Sequence, residues 1–325
     1  MRCFLAVEPL ELSRKRVLLT GGNGFIGSSV LSALGSMGVS DVIAPARADC
    51  DLTHEPEVER LFKEVRPQIV FHLAGLNGGI LANQKRPAEF YYQNLMMGTL
   101  LIHHAWRAGV ERCVVAGAGC GYPSTAPNPL REDDLWNGSP QPESAPYALA
   151  KRMLSVQSEA YFRQYGFVCV VAVLGSVYGP HDNFALENAP FMAALVRKFC
   201  DAAASRTPAV EVWGTGNATR DCVFVDDVVD ALIRCATRSE SASTVNVSSG
   251  ESTSIRNISE ILRRLTGYGG AVRWIADRPE GQQHRRLDVT RAFRALGWSA
   301  STSLDDGLRK TIDWYVANYP RTEEK

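Results

Sequence analysis

The sequence predicts an α/β protein with a doubly wound parallel sheet and a smaller C-terminal lobe. Three observations predict it. Short apolar runs alternate with helix-period patterns along the first half of the chain, the arrangement that gives a parallel sheet covered by helices on both faces. A glycine-rich stretch, LLTGGNGFIG, closes the first apolar run and opens the first helical pattern. Past Gly179 the texture changes: loops lengthen and the patterned segments become shorter.

Taken in order, RVLLT (16–20) is a strand, and GFIGSSVLSALGSMG places apolar residues at helical spacing. DVIAPA is a second strand, EPEVERLFKEV a charged amphipathic helix and QIVFHLAG a third strand, followed by a long helix toward Arg107. ERCVVAG is a fourth strand, PYALAKRMLSVQSEAYFRQYG a helix, and FVCVVAVLG a fifth or sixth strand. This βαβαβ order is the doubly wound pattern. Beyond Gly179 come a strand-like VEVWG, the segment TRDCVFVDDVVDALIRCAT and a helix at IRNISEILRRLTG.

Composition narrows the class. A chain of 325 residues with 45% hydrophobic content supports a full core. Lys+Arg and Asp+Glu are both 35, so no global charge draws the protein to nucleic acid or an anionic membrane. The apolar runs fall short of the roughly 18 residues of a membrane span. Residues 1–14 read as a frayed leader, and Glu8 and Glu11 break its apolar stretch, which argues against a secretory signal. The eight cysteines form no CxxC and no zinc-like Cys/His spacing. Several lie in strand-like runs, so buried, reduced thiols in a cytoplasmic protein are expected. His103 and His104 read as a helix face rather than ligands, and no metal is expected.

Two motifs carry chemistry. Gly21, Gly24 and Gly27 have GxxGxxG spacing between a strand and a helix whose first turn holds Phe25 and Ile26. Glycine lets the backbone turn tightly and approach a pyrophosphate, and the helix N-terminus offers free N–H groups. In this fingerprint an acid at the second strand's end binds the ribose 2′-hydroxyl. Here APARADCDL puts Arg47 there, which favours a 2′-phosphate and so NADP(H) over NAD(H), the alternative being a solvated loop arginine. In PYALAK, Tyr147 and Lys151 are four apart and share a helix face. An ammonium beside a phenol is expected to lower the phenol's pKa and prepare it for proton transfer.

With these motifs the chain resembles the extended short-chain dehydrogenase/reductase superfamily, which has a Rossmann fold. Further blocks resemble its GDP-L-fucose synthase branch: HLAGLNGGI, FYYQN, CGYP, EAYFRQYG, VYGPHDNF, VWGTGNATRDCVFVDD and RRLDVTR. The resemblance implies a nicotinamide cofactor and a GDP-sugar substrate. It places Asp51, Leu52, Leu73, Ala74, Gly75 and Asn94 on the cofactor side, and Gly78, Gly79, Ser176, Asn183, Lys198, Trp213, Arg220 and Arg285 on the nucleotide-sugar side. It implies a homodimer paired through the helix ending near Arg107 and the Tyr147 helix. Residues 15–175 plus about 220–250 would then be the dinucleotide-binding domain, and about 176–219 plus 251–325 the nucleotide-sugar-binding lobe.

The stretch GAGCGYP departs from the branch, whose segment resembles GSSCIYP. The branch's acid/base cysteine is present as Cys120, which also reads as a small core residue. The hydroxyl that polarises the sugar carbonyl is replaced by Ala118, and the epimerisation histidine falls on Pro190. Gly175 and Ser176 replace a Thr-Asn pair. His181 is matched by the branch but not as the catalytic histidine. Losing one oxyanion donor typically costs on the order of 10²-fold or more, so a shifted task on a related sugar is expected. The expected activity is reduction at C4 of a GDP-linked 4-keto sugar, alone or with epimerisation, with Tyr147 as proton donor. The alternatives are a net-neutral epimerase using transient C4 oxidation and a non-catalytic dinucleotide-binding partner or sensor.

Overall fold

The computed structural model describes residues 9–278 and 282–319; Cys3 and the first part of the expected leader lie outside them. The chain begins with strand β1 (Val17–Thr20), helix α1 (Phe25–Ser36), β2 (Val42–Ile43), α2 (Glu55–Val65) and β3 (Ile69–His72). A short α3 (Ile80–Lys85) precedes the long α4 (Pro87–Arg107), then β4 (Arg112–Ala118), α5 (Ala145–Tyr165), β5 (Cys169–Leu174) and β6 (Ser176–Tyr178). The remainder is α6 (Phe191–Ser205), β7 (Ala209–Trp213), β8 (Thr219–Arg220), β9 (Cys222–Phe224), α7 (Val225–Arg238), β10 (Ser243–Val247), β11 (Thr253–Ser254), α8 (Ile255–Thr266), β12 (Ala271–Ile275), α9 (Thr290–Leu296) and α10 (Leu304–Asn318).

Among the described residues, six strands form a sheet in the order β10-β5-β4-β3-β1-β2, every pair parallel. Alternation within each strand explains why both faces are covered. Leu18, Val70, Val115 and Val171 enter one apolar cluster with α2 and α4. Their neighbours Leu19, Phe71, Val114 and Val170 enter the other, with α1 and α7. A strand buried on both faces must be apolar along nearly its whole length, as CVVAVL is and as VLLT is up to Thr20, whose hydroxyl is 2.8 Å from His72 Nδ1.

Several elements were not legible in the sequence. The stretch read as lengthened loops contains α6, whose apolar residues are nearly continuous and hide the helical period. Strand β10 is five residues, STVNV, and gains its place only by pairing with β5. Within the expected leader, Leu12 is buried and the Leu10 N–H donates to Thr237 O, so residues 9–14 pack on the end of α7 rather than fray. Small pairs β7–β12, β8–β11 and β6–β9 build the second layer beyond the carboxyl ends of the main sheet. No described helix is long and apolar enough to cross a membrane.

Candidate active site

The carboxyl ends of β1, β3, β4 and β5 open onto one cleft of 770 Å³, where open α/β sheets carry ligands. Backbone geometry shapes one wall. Gly21 has φ +78°, and a Cβ on it would lie 2.6 Å from Ala74 N. A Cβ on Gly27 would lie 2.0 Å from Gly21 O, so only glycine lets α1 start this close to the bend. Among the described residues no side chain caps α1 at Gly24, which leaves its first N–H groups for an anion. Phe25 and Ile26 line the cleft beside this end, and Leu73 and Gly75 line it from β3. The cradle fits a dinucleotide pyrophosphate, since the tight bend brings the uncapped start of α1, with its first N–H groups, to the cleft wall.

Tyr147 and Lys151 lie at the start of α5 and face the cleft together. The Tyr147 ring meets Phe90 edge-on at 6.2 Å, which fixes its plane. Lys151 is only 4% exposed, and burial lowers its ammonium to about 8. The expected lowering of the phenol is not what the structure produces. Burial, the leading cause, and the nearby Cys120 raise Tyr147 above its ordinary value, while Arg285 opposes them. Helical spacing brings the pair together, but desolvation decides the titration. Cys120 follows β4 in a one-turn 3₁₀ helix and also lines the cleft; burial raises its thiol, and Arg285 is the largest influence lowering it.

The remaining sites divide. Gly78, Gly79, Ser176, Lys198, Trp213, Arg220 and Arg285 all line the same cleft. The Lys198 ammonium donates to Glu211 O at 2.9 Å, and Arg220 Nη1 to Gln282 O at 2.6 Å. The Arg278 guanidinium sits 5.4 Å over the Trp213 ring. Asn94 takes a positioning place instead: its amide donates to Leu76 O and Phe90 O and accepts from the Leu76 N–H, clamping the loop after β3. Asp51 accepts from the Thr53 N–H and hydroxyl at the start of α2, and Leu52 is core. Arg47 is exposed beyond β2, and Gly21, Gly24, Gly27 and Ala74 form the bend behind the lining residues. Asn183 is exposed, its side chain accepting from the Ala185 N–H, and it does not line the cleft. The His181 ring lies tilted at 52° against Trp314, 4.7 Å between centroids, and is also outside the cleft. His103 Nδ1 is 2.7 Å from Tyr161 Oη, and no metal-holding cluster occurs among the described residues.

One cleft residue escaped the sequence reading. Asp182, in GPHDNF, is 6% exposed and its Oδ2 has no partner among the described residues. Burial lifts its carboxyl to about 7. Its position in the motif was the only signal, and the neighbouring Asn183 and His181 drew the reading instead.

The sequence profile of the NAD dependent epimerase/dehydratase family matches residues 17–248. The chain belongs to this family. As a member of the NAD-dependent epimerase/dehydratase family it is an NAD(P)-dependent oxidoreductase/epimerase. It is 34% identical over 312 residues to GDP-L-fucose synthase 1 of Arabidopsis thaliana, covering 96% of both chains. It is 34% identical to the GDP-L-fucose synthase of Escherichia coli, covering 95% of this chain and 99% of that one. Among solved structures it is similar to MlghC, a GDP-mannoheptose C4 reductase from Campylobacter jejuni with NADP bound. That likeness has a TM-score of 0.84 at 26% identity and covers 93% of this chain and 98% of the other. The family assignment agrees with the glycine bend and the Tyr147/Lys151 pair.

Proposed function

We propose that this protein is an NADP(H)-dependent reductase of a GDP-linked 4-keto sugar, acting at C4. The carrying observation is that the Tyr147/Lys151 pair opens onto the same cleft as the glycine bend and three cations, Lys198, Arg220 and Arg285. The printed activities of the relatives, GDP-L-fucose synthase and GDP-mannoheptose C4 reductase, support a GDP-sugar. NADP in the latter structure and Arg47 beyond β2 support a 2′-phosphorylated cofactor. In this reading the bend and the start of α1 hold the pyrophosphate, and Lys198 and Arg220 hold the sugar's diphosphate.

When bound, the reduced cofactor supplies hydride to C4. Tyr147 supplies the proton that the resulting alkoxide oxygen needs. Burial keeps the phenol protonated at neutral pH, as an ordinary phenol also is, so the choice between the reductase and the net-neutral epimerase rests on whether NADPH is consumed. Cys120 remains for proton exchange at a carbon beside the carbonyl: as thiolate it takes the C–H proton to leave an enolate, and as thiol it returns that proton to the carbon. With Pro190 in place of the second acid/base group, we read inversion at two centres as lost.

The test is incubation with GDP-4-keto-6-deoxymannose and NADPH, following cofactor absorbance and the product's configuration. Reduction at C4 with loss of NADPH is expected. Tyr147→Phe should lower kcat by roughly 10²–10⁴-fold while cofactor binding persists. Turnover without NADPH consumption supports the epimerase, and no change in sugar or cofactor leaves only the binding protein or another sugar.

For the assembly we propose a homodimer. Leu149, Met153 and Val156 form an exposed apolar stripe along α5, beside exposed Tyr91 and Tyr92 on α4. Such a stripe suits a second copy of the same helix pair. Met153→Arg should give a monomer by sedimentation, with a dimer expected for the unaltered chain. We also take residues 15–175 with about 220–250 as the dinucleotide-binding unit, supported by the pairing of β10 with β5.

A further inference from the structure

The end of β4 poses a chemical problem. The reduced carbonyl oxygen must be polarised as hydride arrives, yet Ala118 has no hydroxyl to do it and Gly119 has no side chain. We propose that Arg285 polarises the sugar carbonyl in this protein, and that Gly119 is the position that lets its guanidinium reach the reacting end of the cleft. The proposal rests on the reductase reading and assigns the reacting end of that site, away from the diphosphate.

The geometry is local and specific. A Cβ on Gly119 would lie 3.1 Å from Arg285 Nη2 and 3.5 Å from its Cζ. The guanidinium therefore packs against the bare backbone at Gly119, and any side chain there would press on it. Arg285 lines the cleft with Cys120 and Tyr147. Its charge also acts on both groups, drawing down the Cys120 thiol and the Tyr147 phenol against the larger effect of burial.

The segment carrying Arg285 is held by neighbours that have no part in the chemistry. The Leu287 N–H donates to Asp221 Oδ2 at 3.0 Å, and Asp221 is itself buried. The Arg286 N–H donates to Asn128 Oδ1 at 3.0 Å, and Arg286 O accepts from the Leu130 N–H at 2.8 Å. An arginine placed this way presents a permanently charged donor fork. Preorganised donors aimed at a developing oxyanion are worth on the order of 10²–10³-fold in rate.

Four variants test the assignment: Arg285→Met, Arg285→Lys, Gly119→Ala, and Ala118→Ser combined with Arg285→Met. The first measurement needs no sugar: the pH dependence of Cys120 alkylation, mapped by peptide mass spectrometry. Arg285→Met should move that profile to higher pH, and Arg285→Lys less so. With NADPH and GDP-4-keto-6-deoxymannose, Arg285→Met should lower kcat on the order of 10²-fold, while GDP binding by calorimetry changes less than about threefold. Gly119→Ala should lower kcat in the same direction but less, since its methyl meets Leu174 O at 3.0 Å as well as the guanidinium at 3.1 Å. Ala118→Ser should recover part of the rate lost in Arg285→Met, because it restores a hydroxyl donor. A Cys120 profile unmoved by Arg285→Met overturns the placement of the charge. A kcat that holds while GDP affinity collapses overturns the role and returns Arg285 to the diphosphate. An unaltered chain that leaves the ketone unreduced overturns the reductase reading instead, with the alkylation result still deciding where the charge acts.

Discussion

The bend between β1 and α1 is held by backbone alone, whereas the end of β4 is completed by side chains from distant segments. At the bend, Gly21 and Gly27 leave room because neither carries a Cβ. At β4, Cys120 meets Tyr147 from α5 and Arg285 from the stretch before α9. The first kind of site tolerates almost no substitution, because a Cβ at Gly21 or Gly27 meets backbone. The second can exchange one donor for another, and here Ala118 and Gly119 stand where a hydroxyl would be expected.

The sharpest way to break this contrast is Gly27→Ala. Its methyl would sit 2.0 Å from Gly21 O, so the bend must open. A loss of about 3 kcal/mol of stability, with NADPH binding abolished, is expected by thermal melting and fluorescence titration. If melting and binding are both unchanged, the backbone account of the bend fails.

Asp182 probes the sugar side through pH. Its folded carboxyl is held at about 7 against an ordinary 3.8. The unfolded chain therefore releases this proton first as pH rises. The stability the group contributes is fully present below about pH 4 and is lost as pH climbs to 7, a span worth on the order of 2–4 kcal/mol. Asp182→Asn should melt like the unaltered protein near pH 4 and at higher temperature above pH 7. Equal melting at both pH values would place the carboxyl in a wetter setting than its burial indicates.

The smallest effect belongs to Arg47, which is exposed beyond β2. Arg47→Ala should weaken NADPH about tenfold, the scale of one charge-assisted hydrogen bond, and leave NADH unchanged in parallel titrations. Equal weakening of both cofactors would remove Arg47 from the 2′-phosphate.

Much of this molecule could be read before its structure. The strands VLLT, IVFH and CVVAVL announce themselves because a strand buried on both faces must be almost wholly apolar, and the two polar ends, Thr20 and His72, pair with each other. The Tyr147/Lys151 pair follows from helical spacing. Asn94 was expected on the cofactor side; the structure adds that its amide is engaged by Leu76 and Phe90 backbone, which spacing alone does not reveal. Asn183 was assigned to the cleft, but the structure points to its neighbour Asp182.

The linear chain by itself determined the glycine bend and the shared helix face of the phenol and the amine, since each depends on residues a few positions apart, and its alternation of strand-like and helical runs indicated the parallel sheet. Only the tertiary structure decided which way Tyr147 titrates, that Asp182 is buried with an unmatched oxygen, and that Arg285 lies against Gly119. The reason is physical: desolvation and charge proximity depend on what surrounds a group in space, and those neighbours come from segments far apart in sequence.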